Sequence, residues 1–409
     1  MPDAIAEASP PGQQSFASVV KLALCNGLGI SAAVISVTAS ALVAGHVGWT
    51  GAMATVPYGL QFLSLLLATY PSARLMSRHG RKPVFLAAAG FGMLGGMLGY
   101  LAVLRSDPVQ LCLAHLALGV MLANANFYRF AALEVARPER SASAMSLVVF
   151  GGTFAAIIGP VLSRQAIFSA DLFASAYLSI VALGAVTFCL LVSTRLPSFA
   201  KAPAGFGRRE LVELARQPRI LIGAGFAAIG YGAMNLLMIA SSLTMEQLGC
   251  VYEDISVAIQ WHVLAMFLPS LVMGRIIAQV GAFSVALAGG VILMATSAIA
   301  FLNPMSIPVL QACLISLGLG WNMTYVGGSY LVAKSVAPRH ALSAQAVNDL
   351  AIGVFAMIGA FLPGVIVTSY GWAGANLLVI AALLPVVLMA ALQKLRAPQP
   401  QPQGVEDQA

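Results

Sequence analysis

Long apolar runs broken by short polar stretches set the pattern of the chain. Twelve windows stand out: 19–45, 51–72, 83–104, 109–135, 143–165, 173–194, 220–243, 256–279, 283–302, 307–333, 345–368 and 373–393. Each is near or above the ~20 apolar residues that a helix needs to cross roughly 30 Å of hydrocarbon. Backbone polar groups in lipid must be satisfied within their own segment, so runs of this length predict helices. No run alternates apolar and polar residues with a period of two, which excludes a membrane barrel. Residues 195–219 interrupt the rhythm; they are basic, contain Pro197, Pro203 and Pro218, and read as a linker. The expected organisation is a tail over 1–18, six helices over 19–194, the linker over 195–219, six helices over 220–393, and a tail over 394–409.

Composition makes this an integral membrane protein. Of 409 residues, 59% are hydrophobic and 9% charged, whereas soluble domains carry about 25% charged residues. The 21 Lys and Arg also set an orientation. With both termini cytoplasmic, only Arg105 and Arg164 fall outside and Arg129 lies within the fourth window; the rest face inwards, as the positive-inside rule requires. The net charge of +7 is thus spread over connecting loops and forms no phosphate-reading face, so no nucleic-acid partner is expected. Cys25, Cys112, Cys189, Cys250 and Cys313 lie mostly in apolar runs and read as small buried hydrophobes. The first residues, with Pro2, Pro10 and Pro11 and no basic segment, read as a cytoplasmic tail and not as a cleaved signal.

The two halves repeat. A shift of about 200 residues lays Ala136-Arg137-Pro138 and Ser143-Ala144 on Val336-Ala337-Pro338 and Ser343-Ala344. It also lays Arg74 on Arg275, Gly80 on Gly281 and Gln61 on His262. Parallel repeats of this kind place a solute site at their interface, near the midplane.

The loop after the second window, Ala73 to Lys82, ends Arg78-His79-Gly80-Arg81-Lys82. It resembles the signature loop of the major facilitator superfamily, Gly-x-x-x-Asp-Arg-x-Gly-Arg-Lys, with Ala73 at the first glycine and Ser77 at the aspartate. A decayed copy runs from Gly274-Arg275 to Gly281. The resemblance extends over the whole chain. It implies an all-α membrane fold of twelve transmembrane helices in two pseudo-symmetric six-helix bundles, working by alternating access. Phe127–Ala132, Trp261-His262, and Gly320-Trp321-Asn322 with Gln345 to Asp349 resemble a less-studied bacterial branch. That branch includes siderophore and drug exporters as well as vitamin importers. The fifth window keeps Gly151, Gly152, Gly159 and Pro160 of an antiporter-type series, but Ser163 and Arg164 replace its last glycines. A Pro-kinked helix with close-packing glycines explains these residues equally well. Gly92, Gly95, Gly96 and Gly99 read as helix packing alone.

Ionisable and amide groups at membrane depth are costly and mark candidate function. Arg129 lies nine residues before Pro138, about 13 Å inside the end of its helix. Asn124 and Tyr128 share one face there, and Asn126 and Arg129 the adjoining one. Tyr231 with Asn235, the run Gln260, Trp261 and His262, and Trp321, Asn322 and Tyr325 supply further amides and rings. Asn26, Tyr58 and Gln61 lie at similar depth. Such a set suits a planar or polyfunctional organic solute of modest charge. It lacks the ligands of a metal site, and no cofactor is expected.

His262 is the candidate for proton coupling, because imidazole changes charge near neutral pH. Glu134 and Asp349 are its rivals. In the superfamily an acid at the position of Glu134 belongs to a charge relay, here within reach of Arg78, Arg81, Arg137 or Arg140. With Ser77 in place of the aspartate, Asp349 is expected to remake the clasp by pairing with Arg74 or Arg78.

The leading expectation is a monomeric inner-membrane secondary transporter exporting a siderophore or drug-like metabolite. The alternative is uptake of a vitamin-like aromatic compound such as riboflavin. A receptor or structural membrane partner is the reading from another class. The five histidines are scattered and no nucleotide-binding loop occurs, so neither an enzyme nor an ATP-driven pump is expected.

Overall fold

The structure, a computed structural model, describes residues 16–49, 53, 56–164, 167–169, 171–196, 207–250, 252–303 and 306–396. Most of the two predicted tails and residues 197–206 of the linker lie outside the described residues. Among the described residues there are helices and short 3-10 turns and no strand. The first half contains α1 (Phe16–His46), α2 (Val56–His79), α3 (Arg81–Arg105), α4 (Pro108–Ala125) continued by α5 (Tyr128–Val135), α6 (Ser141–Phe150) continued by α7 (Ala155–Arg164), and α8 (Leu172–Ser193). After α9 (Arg208–Ala215) come α10 (Pro218–Gln247), α11 (Tyr252–Phe267) continued by α12 (Ser270–Val280), α13 (Ala282–Leu302), α14 (Ile307–Lys334) and α15 (Ala341–Arg396). The helical path of α15 breaks at Gly371, whose φ of 64° favours a residue without Cβ.

Among the described residues, eleven helical stretches are long and apolar enough to cross a membrane. The remaining expected span corresponds to α2, which is 24 residues long but carries several polar residues and a basic last turn. Its Gln61, Ser64, Thr69, Ser72 and Ser77 are buried against neighbouring helices, where amides and hydroxyls find partners. The linker holds a helix that the proline count obscured. In α9, Leu211 and Leu214 are spaced i, i+3, and Leu214 packs on Ile220, Ala224, Val332 and Ala344.

The halves repeat in three dimensions. Asn26 Nδ2 donates to the Val148 carbonyl at 2.9 Å, and Asn235 Nδ2 to that of Ala356 at 3.1 Å. Asn124 Nδ2 donates to Ser72 Oγ at 3.0 Å, and Asn322 Nδ2 to Ser270 Oγ. Gly80 and Gly281, in the two signature-loop copies, have φ of 82° and 84°.

Each half has its own core. Phe85, Phe127, Phe130 and Met145 pack in the first, and Leu293, Leu314, Leu317 and Leu383 in the second. A further cluster joins them through Val149, Met234, Met266, Phe267 and Trp321. The glycines of α3 do pack against helices, and against two of them: Gly92 and Gly95 abut α4, while Gly96 and Gly99 abut α8. In the second half α11 and α14 touch at Gly318, where an added Cβ would lie 2.6 Å from the His262 carbonyl oxygen. Gly318→Ala should therefore destabilise the protein by about 1–3 kcal/mol. Gly90→Ala, with nothing within 4 Å of the new methyl, should leave stability unchanged or raised. Thermal unfolding of the two variants in detergent checks this, and equal midpoints would count against so tight a contact.

Candidate functional site

A cavity with an empty volume of about 1050 Å³, counting the space at its mouth, lies between the halves. From the first half, α1 contributes Asn26, Ile30 and Val34, α2 contributes Tyr58 and Phe62, and α6 contributes Val149. From the second, α10 contributes Tyr231, Met234 and Asn235, α11 contributes Val263 and Phe267, and α14 contributes Trp321 and Tyr325. Asn126 and Arg129 enter where the fourth span breaks: α4 ends at Ala125 and α5 starts at Tyr128. Asn126 and Phe127 keep right-handed helical dihedrals at this break, so the span runs on through it with Asn126 and Arg129 in the cavity wall.

The wall from α14 is aromatic. Trp321 and Tyr325 stack with centroids 4.7 Å apart and planes at 13°. Phe267 meets Trp321 edge-on at 5.4 Å, and Tyr231 does so at 5.8 Å. These are favourable quadrupole geometries for rings in an apolar site. Trp321 Nε1 is buried and donates to nothing among the described residues.

Arg129 forms the polar floor. It is 2% exposed and lies over the Tyr325 ring at 4.5 Å. Its guanidinium donates to the Asn126 carbonyl at 2.6 Å, to Tyr325 Oη at 2.5 Å, and to Asp349 Oδ1. Asn348 Nδ2 donates to the same carboxylate oxygen at 3.0 Å. Arg129 Nε and Asp349 Oδ2 are buried and unpartnered among the described residues. The pair is thus held firmly but leaves one donor and one acceptor unused.

A second link lies further toward the same end of the molecule. Arg81 Nε and an Nη donate to both oxygens of Glu134 at 2.8 and 2.5 Å, and Arg81 also donates to Gln345 Oε1 at 2.7 Å. Gln345 and Asp349 are i, i+4 on α15, so one helix face receives both arginines of the first half. Ser141 Oγ and Tyr330 Oη, 2.8 Å apart, add a third crossing.

Of the twelve residues singled out for solute contact, Asn126, Arg129, Tyr231, Asn235, Trp321 and Tyr325 line the cavity. Six others do not. Asn124 is turned onto Ser72, and Tyr128 packs edge-on against Phe85 at 4.7 Å. Asn322 ties α14 to Met266 and Ser270 of the interrupted α11–α12 span. Successive helix positions are about 100° apart, so Gln260, Trp261 and His262 could not share one wall. Gln260 is exposed, Trp261 is 57% exposed on the outer surface, and His262 is buried with Nδ1 2.7 Å from the Leu314 carbonyl oxygen.

The expected clasp is also different. Asp349 pairs with Arg129, while Arg74 and Arg78 are exposed on α2 and Ser77 bonds back to the Arg74 carbonyl at 2.7 Å. Arg81 is the arginine paired with Glu134; Arg137 and Arg140 are exposed and form no ion pair among the described residues. Phe62, Phe267 and the methionines of α10 were missed as cavity residues, because an apolar side chain at a wall reads in sequence like one in a core. Among the cysteines, all of them free, Cys25 and Cys313 are buried and Cys189 is exposed.

Comparison with known proteins agrees with this architecture. The Major Facilitator Superfamily profile matches residues 22–250 and 220–408. The chain is 32% identical over 383 residues to the riboflavin transporter RfnT of Brucella anthropi, covering 92% of this chain and 96% of that one. It is 26% identical to the uncharacterized transporter YdeG of Bacillus subtilis, covering 88% of each. In fold it is similar to the Escherichia coli fucose:proton symporter FucP, at TM-score 0.72 and 13% identity over 92% of this chain and 98% of that one. It is also similar to the human organic anion transporter MFSD10, at TM-score 0.71 and 14% identity over 91% and 98%. With two repeated helical halves, a cavity between them, and a profile match along both, the chain belongs to the major facilitator superfamily of membrane transporters.

Proposed function

We propose that this transporter carries a planar aromatic vitamin of the riboflavin kind into the cell, through twelve spans with both termini cytoplasmic in the inner membrane. The observation that carries the reading is the aromatic wall of Trp321, Tyr325, Tyr231 and Phe267, set beside the donors of Arg129. A flat conjugated ring gains from such faces, and carbonyls at its edge accept from buried N–H groups. The similarity to RfnT favours a vitamin over a siderophore, so the export reading suggested by sequence alone yields to uptake.

In this orientation, the links Arg129–Asp349 and Arg81–Glu134–Gln345 close the cytoplasmic end of the cavity. Inward opening separates Asp349 and Gln345 from the first half. Asp349 replaces His262 as candidate proton carrier, since it is paired with Arg129 of the cavity wall while His262 is packed between α11 and α14.

A bacterial strain unable to make riboflavin tests the reading. Expressing this chain should restore growth on low riboflavin and raise accumulation of the labelled vitamin above that of the empty vector. Protein present in the membrane without added accumulation would refute riboflavin uptake, and movement of no solute in proteoliposomes would favour a receptor.

A further inference from the structure

We propose that a cleft beside the seam of α6 and α12 binds an anionic phospholipid of the cytoplasmic leaflet, whose phosphate bridges Arg137 and Arg140 of the first half to Arg275 of the second. The cleft has an empty volume of about 1400 Å³, counting open space, and lies apart from the solute cavity. Its polar lining is dominated by these three arginines, and apolar side chains of Phe16, Leu147 and Leu271 surround them. Phe16 is 71% exposed and Leu271 58% exposed, so acyl chains have a surface to lie on. Glu139, between the two first-half arginines, is exposed and does not line the cleft. None of the three arginines forms an ion pair among the described residues.

The position gives the lipid a consequence. At this seam an added Cβ on Gly274 would meet the backbone of Ser143, so the halves already touch beside the cleft that the three arginines line. Like charges brought together across a closing seam repel, and a phosphate between them turns that repulsion into charge-assisted hydrogen bonds. Basic pockets between helices on the cytoplasmic side suit anionic headgroups for this reason. The lipid therefore favours the state in which the cytoplasmic end is closed.

Native mass spectrometry of the full chain, purified from vesicles of phosphatidylcholine with phosphatidylglycerol, tests the proposal without reference to the transported solute. The wild-type protein should retain phosphatidylglycerol in preference to phosphatidylcholine. Arg275→Gln and the double variant Arg137→Gln/Arg140→Gln should each lose most of that preference. Arg275→Lys should keep part of it, and Arg216→Gln, on the linker, all of it. Retention in Arg275→Gln equal to wild type would overturn the proposal. So would equal displacement by glycerol phosphate alone, which would mean a soluble-anion site, or preference recovered only on removing residues 1–15, which would mean that the chain's own N-terminal segment occupies the cleft.

Discussion

Replacing Asp349 with alanine should abolish transport and destabilise the protein by about 3–5 kcal/mol, because it leaves the Arg129 guanidinium buried without its counter-charge. Arg129 and Asp349 are 2% and 3% exposed, so water can do little to compensate. The double variant Arg129→Met/Asp349→Leu should recover much of the stability, since removing both charges removes the desolvation cost that the pair carries. It should not recover transport, because the cavity would have lost its cationic floor. Thermal unfolding in detergent and riboflavin uptake into proteoliposomes separate the two effects. A double variant that transports like wild type would show that the pair holds helices together and does nothing for the solute.

The second large effect is expected at Trp321. Its ring is stacked on Tyr325 and met edge-on by Phe267 and Tyr231, so it organises the whole aromatic wall. A ring stacked on a conjugated solute contributes about 1–3 kcal/mol. Trp321→Ala should thus weaken riboflavin binding by about 5–150-fold. Trp321→Phe, which keeps a ring but loses the Nε1 donor, should fall between. Quenching of flavin fluorescence on titration with purified protein gives the Kd values. An unchanged Kd in Trp321→Ala would place the solute elsewhere in the cavity or outside it.

The relation between residue pattern and site is clearest along the fourth span. Helical spacing pairs Asn124 with Tyr128 and Asn126 with Arg129; in space the second pair lines the cavity, while Asn124 and Tyr128 are turned to neighbouring helices. Which face meets the cavity depends on tertiary packing, with Ser72 and Phe85 claiming the other side. Likewise, Gln61 and His262 match across the repeat, yet both bond inside their own half. Gln61 Oε1 accepts from Ser36 Oγ and lies 2.8 Å from His115 Nδ1, while His262 lies against the Leu314 carbonyl. A buried amide or imidazole looks the same in sequence whether its partner is a neighbouring helix or a solute.

Sequence alone determined that the chain is helical, membrane-embedded, doubled and endowed with one arginine at depth, because lipid imposes length and polarity on each segment separately. Tertiary structure alone decided that Asp349 meets Arg129 and not Arg74 or Arg78, that Arg81 reaches Gln345, and that Trp261 faces outward. Those outcomes rest on the rotation of each helix against its neighbours. That rotation is set by packing between residues up to 264 positions apart, which no local spacing records.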